Sequence, residues 1–101
     1  MKKSCTNINL IIPFLKTISD ENRLKILCYL KSGGKCVCEI VDFMQIPQNL
    51  VSHHLKKLRD EEIVISKKQW LNVKYSINHE KVDKYLENFN DLFLSNEYSK
   101  N

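Results

Sequence analysis

Two of the four cysteines, Cys36 and Cys38, stand one residue apart in "KCVCEI", directly after Gly33-Gly34. Thiols that close can serve three ends. As thiolates they are soft donors that select soft ions such as As(III), Sb(III), Bi(III), Cd(II), Pb(II) or Zn(II). As a redox pair they would close a disulfide, although a bridge across a two-residue offset is strained. As small hydrophobes they would pack, yet Val37, Ile40 and Val41 already supply the apolar side of this stretch. Ion binding or redox chemistry fits better than packing. At the start of a helix, free amides and the helix dipole are expected to lower the thiol pKa and favour thiolate.

A second constellation lies in "IPQNLVSHHLKKLRDEEIV". If Leu50, Val51, Leu55 and Leu58 point inward, then Gln48, Asn49, Ser52, His53 and Lys56 occupy the opposite face of one helix. Amide, hydroxyl and imidazole groups near a helix N-terminus can read base edges in a major groove. Lys56, Lys57 and Arg59 sit further along, placed for phosphates, and Lys67, Lys68 and Lys74 follow. A polar helix face is often only a solvated one. This face is uncharged where bases would be read and basic where phosphates would lie. Helix neighbours point about 100° apart, so His53 and His54 do not converge on one ion. One is expected to face DNA and the other to pack or hydrogen-bond internally.

Hydrophobic spacing predicts the elements that must hold these groups. Ile8, Ile11, Ile12, Leu15 and Ile18 mark a first helix that Pro13 bends or restarts. Ser19 is the expected N-cap of a second, with Leu24, Leu27 and Leu30 as its apolar stripe and Cys28 half-buried beside them. A third runs from about Val37 to Met44, and a fourth follows Ile46-Pro47 and ends near Glu61. The period then changes from helical to alternating in "IVISKK" and "NVKYSI", which reads as a β-hairpin. Asn78 is placed to cap a last helix carrying Val82, Tyr85, Leu86, Phe89, Leu92 and Phe93 along one side. The expected fold is mainly α with a β-hairpin wing, in the order α-α-α-α-β-β-α: a winged helix-turn-helix.

Residues 1–101 leave room for one core, so a single domain is expected. Hydrophobic residues at 43% and charged residues at 28% argue against disorder. The longest apolar run, Leu10 to Leu15, is too short to span a bilayer, and polar residues near the N-terminus spoil a signal peptide. A cytoplasmic protein without membrane association is expected, and there paired cysteines are more often ligands or redox thiols than structural bridges. The net charge is +4, with seven basic and two acidic side chains in residues 1–35, which suits a polyanion-facing side. Two glycines in all, with no phosphate loop, nucleophile elbow or catalytic carboxylate pair, argue against an enzyme.

From Ile18 to Asn78 the chain closely resembles the ArsR/SmtB family of metal-responsive repressors, most specifically in "RLKIL", "CVCE", "VSHHLKKLRDEEIV" and "KYSIN". The resemblance implies a homodimer paired through its first and last helices and bound to double-stranded operator DNA. It makes the helix from Gln48 the recognition helix and the hairpin the wing. "CVC" is similar to the thiolate site of arsenic-responsive and cadmium/lead-responsive members. The arsenic type often has a third cysteine where Val41 stands here. In the cadmium/lead type an N-terminal cysteine of the other subunit completes the site, and Cys5 lies in such a segment. A three-sulfur site of Cys36, Cys38 and Cys5 would suit pyramidal As(III), with Cd(II), Pb(II) and Bi(III) as further candidates. Two departures stand out: Pro47 replaces the usual serine cap, leaving Asn49 to cap the helix or none, and Trp70 replaces the usual glycine at the wing tip, leaving Asn72 as a candidate for the left-handed conformation.

The leading expectation is a repressor released from its operator by a thiophilic ion, As(III) favoured. The alternatives are a redox- or persulfide-sensing repressor and, ranked lower, a soft-metal chaperone.

Overall fold

The computed structural model describes residues 8–93. Helix α1 (Ile8–Ile18) runs unbroken through Pro13 and buries Ile11 and Phe14. Ile8 and Ile12 stay exposed, so the buried side is narrower than the apolar spacing suggests. Ser19 turns back and donates its hydroxyl to the Lys16 carbonyl. The cap of α2 (Glu21–Leu30) is instead Asp20, whose carboxylate accepts the Arg23 amide at 3.1 Å. This corrects the expectation for Ser19; a carboxylate accepts well at the positive end of a helix.

The apolar stripe of α2 also differs. Ile26 and Leu30, four residues apart, point into the core, while Leu24 is 50% exposed and Cys28 stands on the same outer side. Cys28 is therefore an exposed thiol, not a half-buried one. Gly33, at φ 138, takes a conformation that side chains avoid. Gly34 passes so close to the neighbouring strand that a Cβ would lie 3.0 Å from Lys74 Cγ.

That close approach marks an element too short to show a period in the sequence. Strand β1 (Lys35–Cys36) leads directly into α3 (Val37–Met44). Gln45, at φ 56, ends α3, and Ile46-Pro47 swings the chain into α4 (Gln48–Asp60). Of the two alternatives for the start of α4, the loss of a side-chain cap holds: Pro47 is the N-cap, and no side chain serves it. At the other end Glu62, at φ 61, donates to the Arg59 carbonyl while Ile63 donates to that of Leu58, and Leu58 and Ile63 are both buried. This is a Schellman stop with glutamate where glycine is usual.

Strands β2 (Val64–Gln69) and β3 (Asn72–Ile77) form the expected hairpin, with β1 on the far edge of β3, all antiparallel. At the tip Trp70 itself holds the left-handed conformation, at φ 58, and Asn72 is already in the strand. Asn78 accepts the Lys81 amide and caps α5 (His79–Asn90). Tyr85 of α5 stacks on Phe14 at 4.5 Å, joining the two end helices beside the core of Ile26, Ile40, Val51, Leu55, Leu58 and Ile63. The architecture is a winged helix-turn-helix.

Candidate nucleic-acid interface and thiol site

Helix α4 turns Val51, His54, Leu55 and Leu58 into the core. Leu50, expected inside, is 43% exposed. It lies about 100° round the helix from Val51, at the edge of the buried arc, and His54 takes the inward place. Gln48, Asn49, Ser52, His53, Lys56, Lys57 and Arg59 are all exposed. Lys56 is paired with Asp60 at 3.0 Å, an i,i+4 bridge open to solvent, so it would meet a phosphate only in competition with that carboxylate. Lys67 and Lys68 are exposed on β2. Lys67 stands directly across from Lys74 of β3. Like charges opposed on one face of a ribbon repel, and an anion between them relieves the repulsion.

The histidine expected to pack internally is His54. His53 faces solvent, whereas His54 is 7% exposed and accepts a hydrogen bond at Nδ1 from Arg23 Nε at 3.2 Å. Arg23 is held in turn by donating Nη1 to the Thr17 carbonyl. The α1–α2 junction thus anchors the middle of α4, a contact between residues too far apart for sequence spacing to reveal. Burial holds the His54 pKa below its ordinary value, against the pull of the Asp20 carboxylate. An imidazole with a lowered folded pKa favours folding fully above the unfolded value of 6.5. That stability is lost as pH falls below 6.5 towards the folded pKa, since the unfolded chain then binds more protons. Urea midpoints are expected to drop in this window and the drop to vanish in His54→Gln; a flat profile in the wild type would refute it.

The thiol site is set by β1 and the first turn of α3. Cys36 is the N-cap of α3, and its backbone N–H donates to Glu39 Oε1 at 2.9 Å. That hydrogen bond is the main reason the Glu39 carboxyl titrates below its ordinary range. A glutamate three residues after the cap is a capping-box signature legible in the sequence. Cys36 is half-buried, Cys38 is exposed, and both are free thiols. The Cys38 pKa is raised, not lowered, first by its hydrogen bond to Cys36, then by burial and the charges of Cys36 and Glu39. The lowered thiol pKa expected at this helix start is therefore not found for Cys38. Cys5 lies outside the described residues. Among the described residues no three His, Cys, Asp or Glu side chains form a metal-binding cluster. His79, Asp83 and Glu87 are exposed on α5.

Three contacts fix where the thiols sit. Cys36 pairs with Lys74 across the β1–β3 ladder, so the thiol site is hydrogen-bonded into the wing. Phe43 of α3 stacks on Tyr29 of α2 at 4.1 Å, and Ile40 is fully buried against α4.

The family described as "Bacterial regulatory protein, arsR family" matches residues 20–66, the stretch that runs from the Asp20 cap into β2. The arsenical resistance operon repressor of Staphylococcus aureus is 37% identical over 83 residues, covering 82% of this chain and 80% of that protein. The chain belongs to the ArsR family. The cadmium resistance transcriptional regulatory protein CadC of Listeria innocua is 36% identical over 86 residues, covering 81% of this chain and 72% of its own. Among solved structures, the transcriptional regulator HlyU from Vibrio vulnificus superposes with a TM-score of 0.70 at 29% identity, over 88% of this chain and 93% of that one. ArsR-family proteins are DNA-binding transcriptional regulators, not enzymes. No helix among the described residues is long and apolar enough to cross a membrane.

Proposed function

We propose that this ArsR-family protein is a cytoplasmic homodimeric repressor that binds operator DNA and lets go when a thiophilic ion, As(III) foremost, binds Cys36 and Cys38. One observation carries the reading: two free thiols, one exposed and one half-buried, share a helix start that is built into both elements proposed to face DNA. Through β1 they are tied to the wing strand β3, and through Ile40 to α4. An ion that draws the two sulfurs together shifts both elements at once. A coupling of about 1–3 kcal/mol is enough for such a switch. The similarity to repressors named for arsenical and cadmium resistance supports the class of inducer. Two sulfurs leave As(III) one short, and Cys5 of the partner subunit is the proposed third donor. Cd(II), Pb(II) and Bi(III) are the other ions the site would take. The deciding experiment is anisotropy of labelled candidate operator duplexes with and without As(III), Cd(II), Pb(II), Zn(II) and an oxidant.

A redox switch is the second reading, supported by two free thiols one residue apart. The oxidant arm separates the two: release by oxidant with no response to ions would support it.

In the proposed interface Gln48, Asn49, Ser52 and His53 read bases, while Lys56, Lys57, Arg59, Lys67 and Lys68 bind phosphates. Lys68→Ala is expected to weaken binding to all duplexes alike and to reduce the salt slope by about one. Ser52→Ala or His53→Ala is expected to relax discrimination by about 1–3 kcal/mol. If His53→Ala leaves specific and non-specific affinity untouched, another face reads the DNA.

The proposed dimer surface is the apolar side of α1 and α5. Ile8, Leu10 and Ile12 on α1, and Leu86, Leu92 and Phe93 on and after α5, are exposed. That is more apolar surface than a small monomer usually leaves in water. Sedimentation equilibrium should give twice the chain mass; a monomer at every concentration would rule the dimer out.

A further inference from the structure

The wing ends in two side chains that nothing in the fold explains. Trp70 is 93% exposed and Leu71 96%, the largest exposures among the apolar residues of the described chain. They form the two-residue turn between Gln69 and Asn72. Trp70 holds φ 58 at the first central position, a conformation that hairpins ordinarily give to glycine or asparagine. A bulky residue there strains the backbone and, on this tip, gains no packing in return. Behind the tip the ribbon is cationic: Lys67, Lys68 and Lys74 lie within four residues of the turn.

An apolar aromatic wedge with lysines behind it is the chemistry of side chains that enter a minor groove. There apolar residues slip partly between base steps while cations hold the flanking phosphates. We infer that Trp70, with Leu71 beside it, inserts into the minor groove of the bound duplex and contributes stacking that α4 cannot. This rests on the DNA-binding reading above and gives a role to the two residues at the wing tip. The lysines choose the partner, because a polyanion is what Lys67 and the facing Lys74 require. An anionic membrane would meet the same charges, but two apolar side chains on a turn make a shallow anchor for one.

Trp70 is the only tryptophan in the chain, so its emission reports on the wing tip alone. The probe is an A·T-rich duplex at low salt, with anisotropy of a label on the DNA followed in parallel. Binding is expected to quench Trp70 emission and protect it from acrylamide, and high salt to reverse both. Trp70→Ala is expected to lower affinity by about 5- to 150-fold, the range that stacking of one base on an aromatic ring supports. Trp70→Gly relieves the positive φ, so it should raise the melting temperature while losing the same affinity. A residue placed only for the turn would not show those opposite signs.

If anisotropy rises while Trp70 stays as open to acrylamide as in the free protein, the insertion is wrong and DNA binding stands. If anisotropy does not rise at all, the DNA-binding reading fails first. Protection by anionic vesicles, but not by the duplex, would overturn the inference in favour of a membrane.

Discussion

Cys36→Ser is expected to bind its operator and no longer release it when As(III), Cd(II) or Pb(II) is added. Serine is among the best N-cap residues, so the change at the cap of α3 should keep or strengthen the helix. A lost response would therefore not be a lost fold. The serine hydroxyl stays protonated near neutral pH and is a hard, poor donor to soft ions. Ion-driven weakening of DNA binding, about 5–150-fold in a working switch, should fall to almost none. Cys38→Ser is expected to behave alike, since its side chain is exposed and supports no packing. Cys5→Ser tests the third donor: a three-sulfur site would lose thiolate-to-metal absorption and much of its response, and a two-sulfur site would hardly change. Cys28→Ser, at an exposed position, should leave both stability and response intact. Normal release of Cys36→Ser by all three ions would mean that the sensing site lies elsewhere.

Ile40→Ala should cost about 2–5 kcal/mol of stability, read from urea midpoints at fixed protein concentration. Ile40 has 0% exposure and packs with Val51, Leu55 and Leu58 of α4. Truncating it removes the side chain that fills the space between the thiol-bearing helix and the proposed reading helix. Neither helix can close the gap without moving the other. Leu24→Ala makes the control. At 50% exposure Leu24 fills no such space, and its loss should cost about 1 kcal/mol or less. Equal costs for the two would contradict the burial pattern of α2 and α3.

The helix and strand order was legible because each element carries the period its burial demands. The limits expected for α3 match the folded helix at both ends, and Asn78 caps α5 as its side chain predicts. Errors gathered where a helix has more apolar residues than buried positions. In α2 the spacing of Leu24, Leu27 and Leu30 looks as good as that of Ile26 and Leu30, and only the neighbour packed alongside decides between them. The same ambiguity made Cys28 half-buried and put Leu50 in the core. The cap of α2 moved by one residue because Ser19 and Asp20 are both competent, and the carboxylate is the better acceptor for the Arg23 amide.

By itself the sequence determined which residue types could do chemistry: two adjacent soft donors, a polar helix face and a basic hairpin, all local patterns within a few residues. Their environments were decided by contacts between distant segments. Arg23 reaches His54 across α2 and α4, which leaves His53 as the member of the pair facing water. A two-residue strand binds Cys36 to Lys74, and the hydrogen bond to Cys36, then burial, raise the Cys38 pKa that a helix start was expected to lower. Such pairings carry no periodicity, because each is a single contact between segments that meet only once the core has closed.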